Sequence, residues 1–265
     1  MRIATGLSLM PGDDFRVAAA PLFNDGLVEV VEWSFDMGWG QPLSPWLICI
    51  LDSFSARNAL LGHGVSYSVL DASQTNRPRV WLNRLQDEIT RYSYRQLSVH
   101  FGFMGGGNFH FSAPLPVPRS DAAVAVGRER MGELAAVAKL PVGLENLAFA
   151  FGLNDVEEQG AFLDELLEPV GRYPLDRVRE LHVSGGSWSE HPAGGGNQVR
   201  RDTHDGPVPD EIFAVLPEIL RMCGKVETVI FERMDGTIDV DNSDDINTFR
   251  NDFMRLRKIV KECDR

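Results

Sequence analysis

The sequence has few cysteines, no excess of positive charge and no long apolar run. Its cysteines number only three among 265 residues, and Cys49, Cys223 and Cys263 fit neither a CxxC metal motif nor the disulfide framework of a small secreted protein. No segment approaches the roughly 18 uninterrupted apolar residues of a membrane-spanning helix. The N-terminus passes into a predicted strand without a signal-peptide apolar run, so we expect a cytoplasmic protein that does not enter a membrane.

The balance of charge argues against nucleic acid as a partner. Lysine and arginine number 26 against 38 acidic residues, which gives a formal net charge of -12. Binding to a phosphate backbone depends on basic side chains that release counterions, so a metal ion or a basic peptide is a better partner. Neither a Gly-x-Ser-x-Gly elbow nor a P-loop occurs, and the sequence therefore gives no support for a serine hydrolase or a nucleotide phosphotransferase.

Short apolar runs alternate with longer stretches of helical periodicity. The predicted strands are Arg2–Leu7, Val28–Trp33, Ala59–Val65, Gln96–Phe101, Pro141–Asn146, Val178–Val183 and Val226–Glu232. The predicted helices are Arg79–Tyr92, Asp121–Ala138, Val156–Pro169, Asp210–Cys223 and Asp244–Glu262, with weaker helical pieces earlier. This alternation predicts an α/β fold with a parallel sheet, and 265 residues suit one TIM-type (β/α)8 barrel domain. A Rossmann-like sheet is disfavoured because no GxGxxG follows the first strand.

One step of this alternation is missing. The helix that ends at Pro169 leads through Gly171-Arg172 directly into the strand at Val178, where a barrel requires a further strand and helix. Either the barrel is open, or about thirty residues, the length of one β/α unit, are absent. An open barrel would expose two strand edges, so we expect an interruption of the chain rather than a true deletion. Cα atoms spaced by much more than about 3.8 Å between Val170 and Tyr173 would reveal it.

Two long segments are predicted as loops. Gly102–Pro118 contains a Gly-Gly-Gly-Asn-Phe-His run that ends at His110, and Ser184–Arg201 contains His191 and a Gly-Gly-Gly-Asn run. Loops of this length in a compact domain are usually functional lids or disordered segments. We expect His110 and His191 to face solvent or substrate rather than a metal.

Histidine and carboxylate side chains recur at the predicted strand ends. Each of these side chains, taken alone, is explained as an ordinary hydrogen-bonded residue. Together they supply more imidazole and carboxylate groups than one zinc ion needs. Because strand ends converge in a barrel, we predict a multinuclear site of iron, manganese or zinc, with Asp202 or Glu145 able to bridge two ions. The candidate ligands are His63, His100, Glu145, His182, Asp202, His204 and Glu232.

Neighbouring polar residues are given lesser roles. In an extended segment Asp202 and His204 point to the same side, while Asp205 turns outward or orients His204 from behind; the alternative is a polar loop before the helix. Asn146 follows Glu145 and is a candidate substrate contact through its amide. Glu29 and Glu32 are interpreted as hydrogen-bonding groups of the barrel interior and not as ligands.

An ordered set of short motifs runs through the same residues. The motifs are His-Gly-Val at His63, Ser-x-His at His100, Leu-Pro-x-Pro at Leu115–Pro118, Leu-Glu-Asn at Leu144–Asn146, Glu-Leu-His-x-x-Gly at Glu180–Gly185, Asp-Thr-His-Asp at Asp202–Asp205 and Phe-Glu-Arg at Phe231–Arg233. In this order, from about Val28 to Asp235, the chain resembles the multinuclear non-heme iron-dependent oxidases, which include the methanobactin biosynthesis oxidase.

The resemblance implies a TIM barrel with two or three irons, dioxygen as co-substrate, and a ribosomally made precursor peptide modified at cysteine and often presented by a partner protein. It also implies that the seven candidate ligands named above bind iron. The family carries an additional strand with an aspartate-asparagine motif before the Glu-Leu-His strand, and this chain lacks it at the point where the missing β/α unit is predicted. A divalent-metal hydrolase or isomerase on a xylose-isomerase-like barrel and a metal-free peptide-binding subunit are the alternatives.

Overall fold

Two compact units make up the chain, and the computed structural model describes residues 2–71, 76–106, 109–147, 153–166, 175–190 and 198–264 of it. One unit combines Met1–Glu32 with Leu175–Arg265, and the other is Trp33–Pro174. We call them the terminal unit and the central unit.

Eleven strands and seven helices occur in the described ranges. The strands are β1 (Ala4–Leu9), β2 (Val30–Trp33), β3 (Leu60–Ser68), β4 (Leu97–His100), β5 (Phe103–Gly106), β6 (Phe109–Leu115), β7 (Val142–Glu145), β8 (Glu180–Ser184), β9 (Trp188–Glu190), β10 (Gln198–Arg200) and β11 (Thr228–Glu232). The helices are α1 (Asp13–Asn24), α2 (Pro45–Ala56), α3 (Arg77–Arg91), α4 (Asp121–Ala138), α5 (Leu153–Leu166), α6 (Asp210–Met222) and α7 (Ser243–Cys263).

The terminal unit is built on parallel strands in the order β2, β1, β11, β8. Register is set by the pairs Gly6↔Ile230 and Ile230↔His182. At Gly6 a Cβ atom would lie 2.5 Å from a Val30 methyl group, so the absent side chain lets β2 approach closely. The apolar faces of α1 and α7 cover these strands, and Phe15 packs edge-on against Phe249 at a centroid distance of 5.8 Å.

The central unit contains the parallel strands β3, β4 and β7 in that order. The register places His63 opposite Ser98 and His100 opposite Glu145. Beside β3, Trp81 packs on Tyr67 at a centroid distance of 4.6 Å and on Trp39 at 5.5 Å. These rings bury the apolar face of α3 and fix the carboxyl end of β3.

All seven predicted strands are present, with ends shifted by a few residues. The five predicted helices are also present, and the weaker earlier pieces are the regular helices α1 and α2. The α/β fold class is therefore confirmed.

The prediction of two irregular loops was wrong in the described parts. Antiparallel pairing joins β5 to β6 and β9 to β10. Pairing between neighbouring segments satisfies backbone groups that an irregular loop would leave to water. Residues 107–108 and 191–197 lie outside the described ranges, as does His191.

The predicted interruption between Val170 and Tyr173 falls on residues 167–174, which are outside the described residues, and it stays a prediction. Within the described ranges, no helix combines the length and apolar character needed to cross a bilayer.

Candidate metal centres

Three ligand atoms converge in the central unit. The His63 Nε2 atom lies 3.3 Å from the Nε2 atom of His100 and 3.3 Å from Oε2 of Glu145, and the His100 Nε2 atom lies 3.8 Å from the same oxygen. We call His63, His100 and Glu145 the His63 cluster. His63 is buried, and His100 and Glu145 are half-buried.

The strands position this cluster directly. His100 and Glu145 are the last residues of β4 and β7 and are paired in register, so their side chains leave the sheet at the same level. His63 lies in β3 opposite Ser98, two residues before the level of His100, and its ring meets that of His100 edge-on at 4.7 Å. Each side chain therefore comes from a different strand, and the sheet fixes the distances between them.

Hydrogen bonds behind the rings orient both imidazoles. The Nδ1 atom of His63 lies 2.8 Å from the hydroxyl of Ser98, and Nδ1 of His100 lies 3.3 Å from the carbonyl oxygen of Val65. A carbonyl only accepts, so His100 donates from Nδ1 and carries its lone pair on Nε2, toward the cluster. Such outer partners fix the tautomer of metal-binding histidines.

A second group of donors surrounds His182 in the terminal unit. Its Nε2 atom lies 3.0 Å from Oε1 of Glu180 and 3.4 Å from Oε1 of Glu32, and its Nδ1 atom lies 3.5 Å from Oε1 of Glu232. His204 adds an Nε2 atom 3.6 Å from Oε2 of Glu232. The His182 cluster comprises these residues and Asp202: Glu32, Glu180, His182, Asp202, His204 and Glu232.

Strand alternation brings these side chains to one face. Glu180 and His182 are two residues apart on β8, and Glu232 ends β11, two residues beyond the partner of His182. Two sets of three residues have donor atoms close enough together to hold one metal ion, namely His63–His100–Glu145 and Glu32–His182–Glu232. Within each set, one ligand atom per residue lies within 4.8 Å of the others.

Glu32 is the most deeply placed carboxyl group of the His182 cluster. Its exposure is 1%, and burial, with smaller effects of the neighbouring carboxylates, raises its pKa to about 8 despite the opposing effect of His182. In the metal-free protein Glu32 therefore stays protonated at neutral pH, because one imidazole does not offset its burial beside Glu180 and Glu232. A bound cation would favour the ionised form of Glu32 and compensate its charge.

The raised pKa of Glu32 leads to a prediction for the metal-free protein. Between the ordinary carboxyl value of 4.5 and about 8, folded Glu32 keeps a proton that the unfolded chain has lost, so the free energy of unfolding falls as pH rises through this window. In Glu32→Gln this loss should disappear, a difference of a few kcal/mol at pH 8. Urea unfolding of chelator-treated samples at pH 5 and pH 8 measures it.

The same substitution should weaken metal binding, because an amide oxygen carries no charge. A fall in the stability of metal-free Glu32→Gln between pH 5 and pH 8 would contradict the argument from the burial of Glu32. Unchanged metal affinity would show that Glu32 is not a ligand.

The Asp202–Asp205 segment departs from the extended conformation expected for it. His204 has a φ of 52°, in the left-handed region, and its carbonyl accepts a hydrogen bond from the N–H of Met234 at 2.7 Å. The backbone is therefore not extended at His204, yet Asp202 and His204 meet as expected, with Oδ1 and Nε2 2.9 Å apart. Asp205 accepts a hydrogen bond from the Thr203 hydroxyl at 2.7 Å, which lowers its pKa.

Every predicted ligand lies on a strand or on the segment just before α6, and none lies on a helix. The structure arranges them as two groups, one in each unit, and their role as ligands stays a prediction. Sequence reasoning missed Glu32 and Glu180 as members. Glu180 was detectable, because it lies two residues before His182 on β8 and therefore on the same face of the strand. Asn146 is exposed after β7, and nothing is described of the side chain of His110.

A cavity of about 360 Å³ opens at the carboxyl end of β3. Its walls are the rings of Trp39, Tyr67 and Trp81, and the guanidinium of Arg84 lies 4.6 Å from the ring centre of Trp39. Asp36 holds this wall in place, since its carboxylate accepts hydrogen bonds from the Trp81 indole at 2.9 Å and the Ser66 N–H at 2.7 Å. The sequence analysis did not identify this cavity.

Solved structures with a similar fold are TIM-barrel proteins. Endonuclease IV from Thermus thermophilus has a TM-score of 0.53 at 14% identity, covering 96% of this chain and 99% of its own. A xylose isomerase domain protein from Alicyclobacillus acidocaldarius also has a TM-score of 0.53 at 14% identity, covering 98% and 99%. A xylose isomerase-like TIM barrel protein from Mycobacterium smegmatis, in complex with magnesium, has 0.52 at 11% identity, covering 99% and 97%. These likenesses confirm the TIM-type fold.

Curated relatives carry the name UPF0276 protein. The relative from Caulobacter vibrioides is 28% identical and covers 89% of this chain and 92% of its own length, and one from Rhizorhabdus wittichii is 25% identical with 82% of each chain covered. The Caulobacter alignment extends over 273 positions but uses only 89% of 265 residues, about 236. About 37 positions of that relative therefore have no counterpart here.

The model of one protein family matches this sequence in two segments, residues 45–173 and 167–244. The segments meet where the sequence analysis predicts a missing β/α unit. Together they span most of the chain and include the nine strands β3 to β11 and the predicted ligands of both clusters. The chain belongs to the family of RiPP precursor modification enzymes described as MbnB/TglH/ChrH.

Proposed function

We propose that this protein is an iron- and dioxygen-dependent oxidase that modifies a ribosomally synthesised precursor peptide at cysteine. The family supports a role in modifying such peptides. The observation that carries the finer proposal is the pair of donor clusters, each composed of imidazole and carboxylate at the ends of strands.

The donor chemistry fits iron. Both clusters offer nitrogen and oxygen atoms without thiolate, a set that suits iron, manganese or zinc. In the His63 cluster the lone pair of His100 points to the other two ligand atoms, and in the His182 cluster buried carboxylates crowd one imidazole. Iron held there, as two or three ions, would supply dioxygen activation and an open position for a substrate thiolate.

The chain's own residues have distinct tasks in this proposal. His63, His100 and Glu145 would hold one ion, with the Ser98 hydroxyl keeping the His63 ring in place. Glu32, His182, His204, Asp202 and Glu232 would hold the second group. The Oε1 atom of Glu180 lies 3.0 Å from Nε2 of His182. Glu180 would therefore orient that ring, or become a further ligand when a cation binds.

The cavity beside β3 is the proposed substrate subsite. Val65, whose carbonyl orients His100, is followed along β3 by Ser66 and Tyr67, which line the cavity. A peptide side chain seated against Trp39 and Trp81 would therefore lie a few residues along β3 from His63. The partners proposed are the precursor peptide and a protein that presents it.

The experiment combines metal analysis with peptide conversion. The protein is purified without oxygen, its metals are measured by elemental analysis and Mössbauer spectroscopy, and the precursor peptide encoded nearest to its gene is supplied with and without dioxygen. We expect iron in the sample and a mass change of the peptide, at cysteine, that requires dioxygen.

Zinc, manganese or magnesium with a conversion that proceeds without dioxygen would overturn the oxidase proposal and favour a divalent-metal hydrolase or isomerase. A folded sample with far less than one metal ion per chain, even after incubation with ferrous iron, would favour a peptide-binding subunit.

A further inference from the structure

Two candidate ligands of the His182 cluster, Asp202 and His204, do not lie on a strand. They belong to the segment between β10 and α6, in which the backbone forms no regular secondary structure. The other members of the cluster lie on strands, whose backbones are fixed by the hydrogen bonds of the sheet. The positions of Asp202 and His204 therefore depend on contacts made outside the sheet.

Thr203, the residue between these two candidates, forms such contacts through its hydroxyl. The hydroxyl donates a hydrogen bond to Oδ1 of Asp205 at 2.7 Å and accepts one from the backbone N–H of Ser187 at 3.0 Å. The hydroxyl oxygen of Ser187 lies 3.2 Å away. Because a carboxylate only accepts, Thr203 gives its one proton to Asp205, and Ser187 is the donor in both other bonds. We call Ser187, Thr203 and Asp205 the Thr203 clamp.

The clamp joins the end of β8 to the segment that contains the ligands. The backbone N–H of Arg201 donates to the carbonyl of Ser187 at 2.8 Å, and the Arg201 guanidinium donates to the Ser187 hydroxyl at 3.0 Å. A Cβ atom at Gly186 would lie 1.8 Å from the carbonyl oxygen of Arg201, so the close approach of the two backbones requires glycine there. The ligand segment is thus packed directly against the residues that follow His182.

Contacts on either side of Thr203 involve the two ligand candidates themselves. The Ser184 hydroxyl donates to Oδ1 of Asp202 at 3.0 Å, and the N–H of Met234 donates to the carbonyl of His204 at 2.7 Å. The φ of His204 is 52°, an unfavourable value for a residue with a side chain, which persists only where the surroundings impose it. The side chain of Thr203 fixes the backbone between these two points.

We propose that Thr203 is a positioning residue of the His182 cluster, whose hydroxyl holds Asp202 and His204 where both can bind an ion beside Glu232. Asp205, expected from the sequence to orient His204 from behind, would act through Thr203. The inference rests on the proposed function only in requiring that the cluster binds a metal. Partners of metal ligands change the affinity for the ion by about 10- to 100-fold.

Titration of the metal-free full chain with ferrous iron under argon tests the proposal. The binding step that is lost in His182→Ala identifies the cluster. In Thr203→Val, which keeps the branched shape and removes the hydroxyl, we expect the affinity of that step to fall by about 10- to 100-fold. Thr203→Ser keeps the hydroxyl and should bind iron as the unaltered chain does. The matched control is Thr248→Val, which removes a hydroxyl bonded to a backbone carbonyl of α7 at 2.7 Å and should change nothing.

Circular dichroism and urea unfolding separate positioning from a purely structural role. A folded Thr203→Val protein with lower stability but full iron affinity would overturn the proposal, as would an equal loss of affinity in Thr203→Ser. Should Thr203→Val not fold, Asp205→Ala is the second variant. It removes the acceptor of the Thr203 hydroxyl and keeps the bond from Ser187, so the affinity should fall by less, and an unchanged affinity would contradict the clamp.

The outcome is independent of the identity of the metal, because zinc binding is measured in the same way. Weaker zinc binding in Thr203→Val, in a protein that converts its peptide without dioxygen, would uphold the positioning role and overturn the oxidase proposal. An unaltered chain that binds no ion would overturn both.

Discussion

Replacing His182 with alanine is expected to remove metal from the His182 cluster and to abolish peptide modification while the chain stays folded. The ring touches three carboxylates, those of Glu32, Glu180 and Glu232, at 3.0 to 3.5 Å. Without the ring, the carboxylates still repel one another and the metal site has lost a nitrogen ligand. Metal affinity should therefore fall at least about 100-fold. Elemental analysis and peptide mass spectrometry measure the two losses.

Glu232→Ala should have the same effect, because its two oxygens reach both His182 and His204. The fold should lose only about 1–2 kcal/mol, since the apolar strands hold the core. The matched control is Glu190→Ala, which removes an exposed carboxylate from β9, and His110→Ala is a second control. Equal metal loss in the controls would show that the division between ligands and other residues is wrong.

His63→Ala is expected to remove metal from the His63 cluster and with it the activity. The ring supplies the nitrogen that lies 3.3 Å from both other ligand atoms. Ser98→Ala tests the ring's support separately, because it leaves every ligand present and removes only the hydroxyl beside Nδ1. For this variant we expect metal affinity to fall by about 10- to 100-fold, with activity restored by excess iron.

Titration of the metal-free protein with ferrous iron under argon measures both effects. Ser53→Ala, which alters an exposed hydroxyl on α2, is the control. Full affinity in Ser98→Ala would contradict the orienting role of its hydroxyl. Full metal content in His63→Ala would remove the His63 cluster from the proposed centre.

The positions of the ligand candidates were predictable because they depend on local pattern. A buried strand shows as a short apolar run, and His63, His100 and Glu145 stand within or at the end of such runs. Parallel strands end at a common edge, so imidazole and carboxylate at several strand ends predict a shared site without any knowledge of the contacts. The family motifs contain the same residues and led to the same set.

Glu32 shows where that reasoning stops. The predicted strand Val28–Trp33 contains two glutamates with similar apolar neighbours, and the sequence does not distinguish them. In the fold, Glu29 forms an ion pair with Arg2, whereas Glu32 faces His182, 150 residues away in the chain. Only the packing of β2 in the terminal unit decides which carboxylate is buried beside an imidazole.

By itself, the sequence determined the α/β class, the seven main strands and the chemical type of the candidate donors, and it predicts one missing β/α unit. These follow from side-chain periodicity and residue type, which act over a few neighbouring residues. The tertiary structure decided which donors meet within each unit, that His204 adopts a left-handed backbone, and that the two long loops contain hairpins. Each of these depends on contacts between distant segments, and the energies of such contacts are set by burial and packing that no local pattern records.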